Sequence, residues 1–257
     1  MNLRFNRDKY NLSVGVNYQN TSLKGDLISK NQKIDKTFES VLPVARFNYD
    51  FSKVKHLRVD YEASMQEPGI QQLQPVVDNS DPLNISTGNP DLRPSYQHRL
   101  TSNFTTFDPD KFINFFAFIT ANYTLNPIIN SQTVNANLVR VTKPINVKDN
   151  VSLNGNFNFS LPVKKWYSRF NVGPTLGYTR AINSLNDQLS FTFQQTVGGT
   201  ARYNFTFKDF ITVGPQRESQ SSADFYEFNT QNNQEYFNKT YSAEATIVFS
   251  EEVSILQ

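Results

Sequence analysis

His56 and His98 are the only imidazoles in a chain of 257 residues that contains no cysteine. A nucleophilic triad or a zinc centre needs a second and third group at defined spacing, and neither histidine has one in sequence. His56 abuts a short charged turn. His98 shares a parity with Tyr96 and Leu100 near a strand end, so both read as interfacial histidines. Asp78 and Asp81, with Asn79 between, offer oxygen ligands suited to Ca²⁺. Their spacing misses the twelve-residue calcium loop and its glycine, so a solvated loop is the better reading. Asn103, Asn122 and Asn204 open Asn-X-Thr triplets that alternating Asn/Thr strands produce by chance. No catalytic residue, metal site or cofactor is expected, and the chain does not read as an enzyme.

The elements that would position such groups are unusually clear. From Asn150 to Ser160, Val151, Leu153, Gly155, Phe157 and Phe159 alternate with Ser152, Asn154, Asn156 and Asn158. Successive strand side chains point to opposite faces, so this strand keeps one face in an apolar medium and the other in water. The same alternation runs through Tyr10–Tyr18, Leu57–Met65 and Trp166–Tyr178. It defines about ten antiparallel strands: Lys9–Gln19, Phe38–Phe51, Lys55–Gln66, Ser95–Phe107, Phe112–Leu125, Val147–Leu161, Trp166–Arg180, Leu189–Phe207, Phe210–Phe225 and Phe237–Phe249. In the fifth, Phe116 and Phe118 also occupy the polar parity, which makes it the least clean.

Composition agrees with that division. The chain has 22 Phe and 12 Tyr, yet its mean hydropathy is −0.52. Many aromatics with low mean hydropathy suit a membrane β-barrel, in which only every second residue has to be apolar. With 25 Lys plus Arg against 23 Asp plus Glu there is no basic footprint for nucleic acid. No apolar run approaches the ~18 residues of a transmembrane helix. Met1–Arg7 lacks the apolar core of a signal peptide.

Connections sort by length. Short charged turns are expected at 52–55, 108–111, 162–165 and 208–209, flanked by Phe51, Phe107, Phe112, Trp166, Tyr167, Phe207 and Phe210 as an aromatic girdle. Long polar loops are expected at 20–37, 67–94, 126–146, 181–188 and 227–236. Outer-membrane barrels have this asymmetry, with tight turns at one rim and long loops at the other. The polar parity, including Arg58, Asp60, Glu62, Arg99, Asn154, Asn156, Arg169 and Arg202, would line a wet lumen.

The most specific stretch runs from Glu67-Pro68-Gly69 through Leu73-Gln74-Pro75 and Asp81-Pro82-Leu83-Asn84 to Gly88-Asn89-Pro90-Asp91-Leu92-Arg93-Pro94. It resembles the barrel of TonB-dependent outer-membrane receptors, in particular the large outer-membrane β-barrel family of Bacteroidetes-type bacteria. Ser95 stands where that family commonly has an acidic residue. Tyr10–Gly25 and Gln234–Tyr241 are also similar to family segments. In physical terms Gly88 and Asn89 tolerate positive φ, while Pro90 and Pro94 fix φ and remove ladder donors. The motif reads as a rigid loop-to-strand corner more than as a ligand site.

The resemblance implies an all-β antiparallel transmembrane meander forming part of a barrel of roughly twenty-two strands. It further implies outer-membrane lipid around the wall, a plug domain in the same full-length chain, coupling to the TonB complex, and an extracellular nutrient of unknown identity. Residues 1–257 then form one partial barrel domain, cut at both ends, without plug or signal peptide. Ser254-Ile255-Leu256-Gln257 lacks the terminal aromatic of a complete barrel. Two alternatives stay open: a passive porin or structural barrel closed by these strands alone, and a soluble carbohydrate-binding or adhesin module.

Overall fold

A computed structural model describes residues 2–27, 32–163, 167–207, 211–227 and 233–247. Among the described residues fifteen strands and one short helix follow in chain order: β1 Asn2–Arg7, β2 Tyr10–Leu27, β3 Gln32–Ser52, β4 Lys55–Gln66, α1 Ile70–Leu73, β5 Val77–Asp78, β6 Asn84–Thr87 and β7 Ser95–Asp108. After these come β8 Ile113–Leu125, β9 Ile128–Val134, β10 Arg140–Asn146, β11 Asp149–Val163, β12 Ser168–Leu185, β13 Gln188–Phe207, β14 Ile211–Tyr226 and β15 Gln234–Ile247. Eleven of them, β1–β4, β7, β8 and β11–β15, pair antiparallel in chain order as a single meander wall. The fold is therefore all-β, in the arrangement of an outer-membrane barrel wall.

Register carries one apolar face across that wall. Directly paired residues share a face, and Phe5 pairs Leu12, Leu12 pairs Phe47, and Phe47 pairs Val59. Farther along, Phe104 pairs Ala117, Ala117 pairs Phe157, Phe159 pairs Val172, and Val172 pairs Ala201. The opposite face joins Glu62 to Arg99, Arg99 to Asn122, Asn122 to Ser152 and Ser152 to Thr179. A slip of one residue anywhere would put polar side chains on the apolar side, which is why the register is so strongly specified.

Two aromatic rows bound the apolar face. Near the short turns Phe51 packs on Tyr49 (4.6 Å between ring centres) and on Phe104 (6.2 Å). Phe104 continues to Phe115, and Phe115 to Phe159. Toward the long loops Tyr61, His98 and Tyr123 stack in a line at 6.2 and 6.4 Å. Phe115 and Tyr123 stand eight residues apart on β8; that is about 26 Å of strand, or ~20 Å of height at a tilt of ~40°. The spacing matches the apolar band of an outer membrane, ~25 Å tall.

Several expectations change in detail. Asn2–Arg7 is an additional wall strand, paired with Tyr10–Gly15. The expected loop 20–37 is largely ladder, since β2 and β3 stay paired from Tyr10↔Tyr49 to Leu27↔Gln32. The expected loop 181–188 is a two-residue turn: pairing continues to Leu185↔Gln188, with Asn186 and Asp187 at φ 51° and 60°. That is the hairpin turn whose twist suits two flanking strands. A strand crosses a bilayer with ~9–11 residues, so β2, β3, β12 and β13, at 18, 21, 18 and 20 residues, stand well above it. Trp166, Phe210, Phe249, Lys164–Lys165, Lys208–Asp209 and Ser254–Gln257 lie outside the described residues, as does the Phe207 side chain.

Candidate functional site

Above the wall the sheet branches. Asn126, at φ 51°, and Pro127 turn the chain out of β8 into β9, which meets β12 beyond the start of β11 at Leu185↔Gln132. Ser131 and Ser184 hydroxyls, both buried, bond at 2.7 Å across this junction. β9 pairs antiparallel with β10, β10 parallel with β6, and β6 antiparallel with β5. The 67–94 and 126–146 segments, expected as independent loops, thus form one structured rim.

The Gly88–Pro94 motif sits where three parts of this rim meet. Asn89 N–H donates to Gln72 O on α1 (2.6 Å), and Asn89 Nδ2 donates to Pro144 O on β10 (3.0 Å). Asn89 Oδ1 accepts from Asp91 N–H at 3.0 Å, closing a local turn. The Lys36 ammonium of β3 donates to Pro90 O. Arg93 N–H donates to Asn146 Oδ1 at 2.8 Å, and Asn146 Nδ2 donates back to Arg93 O at 2.9 Å and to Asn126 O at 2.8 Å. Leu92 is almost fully buried, as are Leu73 and Pro68. Burying a leucine contributes about 1.5–3 kcal/mol, so these two fix the corner against solvent.

Gly88 has a reason other than the one its sequence implied. Neither it nor Asn89 adopts positive φ. A Cβ on Gly88 would lie 2.1 Å from Gln74 O and 2.8 Å from Gln72 O. Glycine is required by close approach of two backbones, a demand that only tertiary packing reveals.

A cleft of about 420 Å³ opens beside this corner, lined by Gln71, Gln72, Gln74, Asp78, Ser86, Thr87, Asn130 and Thr142. Its polar groups are amides and hydroxyls with one carboxylate, and Val76 and Pro144 add apolar surface. Asp78 and Asp81 are engaged in their own turns: Asp78 accepts from Ser80 N–H (3.1 Å), and Asp81 from Leu83 N–H (3.0 Å) and Asn84 Nδ2 (2.8 Å). The Ser80 backbone bond lowers the Asp78 carboxyl below its ordinary range, and the Asn84 amide, followed by the Leu83 N–H, does the same for Asp81.

On the polar face Arg46 and Arg58 both donate to Asp60 at 2.6 Å. Arg99 lies 3.7 Å from Glu62 and donates to Asn122 at 3.1 Å, which in turn donates to Ser152. A recess of about 650 Å³ borders Arg4, Arg46, Asp60 and Glu62. Midway along β11–β13 the same face is neutral, with a hollow of about 180 Å³ at Gly177 among Asn154, Asn156, Thr175 and Gln194, while Arg169 and Arg202 stand nearer the short turns. Arg202 bonds Gln216 at 2.8 Å. Arg58, Asp60, Glu62, Arg99, Asn154, Asn156, Arg169 and Arg202 therefore share one face but not one site.

Both histidines have partners that sequence spacing hid. His56 Nδ1 meets Asp50 Oδ1 at 2.5 Å across the short β3–β4 turn. His98 Nδ1 meets the Tyr61 hydroxyl at 2.8 Å. Among the described residues no three His, Asp or Glu groups converge as metal ligands. Asn146 and Lys36 were missed, because each acts on a backbone more than fifty residues away.

Residues 1–251 match the family model described as outer membrane protein beta-barrel family. No curated protein matches the chain. Among solved structures, the chain is similar to the copper transporter OprC, with a TM-score of 0.48 at 13% sequence identity, over 93% of this chain and 46% of that one. The chain thus spans less than half the length of that structure. With a family match over nearly its whole length and a two-faced meander wall, the chain belongs to the outer membrane protein β-barrel family and resides in the outer membrane.

Proposed function

We propose that these residues form wall and extracellular rim of a TonB-dependent receptor, for energised uptake of a nutrient too scarce or bulky for passive diffusion. The observation that carries this reading is the rim. The Gly88–Pro94 corner binds α1, β3 and β10 into one rigid unit with a polar cleft beside it. A porin needs an open mouth, whereas a receptor needs a preformed surface that captures a dilute solute. The cleft residues Gln72, Gln74, Thr87 and Asn130 would contact the solute first. The polar face of the wall would then contact a plug domain supplied elsewhere in the full-length chain. Support for a wider barrel comes from β1 and β15, each paired on one side only among the described residues.

Planar-bilayer conductance of the full-length protein tests this, together with binding of the soluble C-terminal domain of TonB. A plugged receptor shows no steady conductance and binds that domain. A steady open channel without such binding would assign the chain to passive porins instead.

A further inference from the structure

The apolar face is not uniform. On β8 and β11 it is free of charge from Ile113 to Leu125 and from Val163 to Val151. On β14 the same parity reads Ile211, Val213 and Pro215, then turns polar at Arg217, Ser219 and Ser221. Register places Arg217 beside Tyr241 and Ser219 beside Lys239, all on the lipid-facing side. Arg217 stands six residues above the first residue of β14 and Lys239 eight above the last of β15. At ~3.3 Å per residue and a tilt of ~40° those are heights of about 15 and 20 Å, inside the long-loop half of an apolar band ~25 Å tall.

Outward cations elsewhere on the wall sit at its margins, among them Lys55 beside the short β3–β4 turn, which lies over the Phe51 and Phe104 rings at 4.9 and 5.6 Å, and Arg180 near the long loops, which is paired. Arg180 meets Asp149 at 2.5 Å, and Tyr123 donates to the same carboxylate. Arg217 and Lys239 have no ion-pair partner among the described residues. Glu235, on the same face of β15, is four residues from Lys239, about 13 Å along the strand. Each cation lies over an aromatic ring instead, Arg217 at 5.6 Å from the Tyr241 centre and Lys239 at 4.5 Å from that of Phe237. Gly199 and Ala201, paired with Ser219 and Arg217, keep the adjoining wall thin. The result is a shallow trough with two cations and two hydroxyls.

We infer that this trough binds the phosphate of an anionic lipid headgroup in the leaflet on the long-loop side. Unpaired cations facing hydrocarbon are costly, and both side chains are long enough to raise their charge toward the headgroup zone while their stems stay apolar. A phosphate there accepts charge-assisted bonds from both cations and ordinary ones from Ser219 and Ser221. A second copy of the chain fits poorly. Two copies sharing a membrane are related by an axis along its normal, which brings like charges to the same depth.

The test uses full-length protein extracted in mild detergent and offered lipid A, or lipid A stripped of its phosphates, with retained lipid read by native mass spectrometry. The phosphorylated form is retained about tenfold better. R217Q/K239Q abolishes that preference and R217K/K239R keeps it. Should the neutral variant fail to assemble, a single spin label at S221C, with any cysteine outside residues 1–257 replaced by serine, broadens the ³¹P signal of lipid A in phosphatidylcholine vesicles, residues 1–257 having no cysteine of their own. Equal retention of both lipids overturns the inference. So does displacement by an equal concentration of inorganic phosphate, an undisturbed ³¹P signal, or a dimer cross-linked through position 221.

Discussion

Asn146 and Arg93 hold each other through both ends of one amide: Oδ1 accepts from the Arg93 N–H at 2.8 Å while Nδ2 donates to the Arg93 carbonyl at 2.9 Å. This two-way bond joins the end of β10 to the strand entrance at Pro94. It does between distant segments what a ladder does between neighbouring strands. Asn146→Ala leaves Arg93 N–H and O without these partners, at about 1–3 kcal/mol for each group left unsatisfied. Limited proteolysis then cuts within 67–94 faster than in the wild type. Asn146→Asp retains only the acceptor and falls between the two.

Gly88→Ala separates close approach from backbone conformation. With Gln74 O 2.1 Å from the added methyl, the rim shifts at about 1–3 kcal/mol or more. Gly69→Ala meets only the Gln72 side chain, at 3.6 Å, and is mild. Hydrogen exchange at the Asn89 amide, bonded to Gln72 O, reads the difference: it accelerates in Gly88→Ala alone.

Phe157 and Asn156 are adjacent on β11 and face opposite media. Phe157→Arg puts a charge on the lipid side about a quarter of the way from the Phe115–Phe159 row to the Tyr123 row, and lowers stability by ~1–2 kcal/mol, between the interfacial and midplane costs. Asn156→Arg adds the same charge to the wet side and changes stability by less than ~1 kcal/mol. Urea unfolding of the full-length protein in lipid vesicles measures both.

Leu138, at the tip of the β9–β10 hairpin, has φ 60° and is 78% exposed. A leucine gains little there and carries left-handed strain. Leu138→Gly relieves it, stabilising the hairpin by about 0.5–1 kcal/mol after the larger loss of glycine entropy. Slower exchange of the Val139 amide, which donates to Asn135 Oδ1, registers the gain.

The Asp78 and Asp81 turns should respond to acid in one direction. Both carboxyls are held below their ordinary value, so their contribution is complete above about pH 4 and is lost as pH falls through the lowered value. Amide exchange at Ser80 and Leu83 accelerates only in that acid range. Asp81→Asn keeps an acceptor oxygen and removes the pH dependence at Leu83.

Alternation alone decided that this chain is a two-faced antiparallel wall, because strand geometry forces every second side chain to one side and the band's width fixes how many must be apolar. The order of the wall strands and the short turns at 52–55 and 108–111 were legible for the same reason. What the long segments do was not. Asn20–Thr37 and Ala181–Gln188 carry polar residues on both parities, since a hairpin standing in water needs no apolar face, and a reader of periodicity takes them for loops. Gly88 looked like a residue of unusual φ, yet its need arises from Gln74 O, fourteen residues earlier in the chain. His56–Asp50, Tyr61–His98 and Asn146–Arg93 exist only through register and branching. Local pattern chose the faces; pairing between distant segments chose which polar groups meet, because that depends on backbone positions no short-range rule specifies.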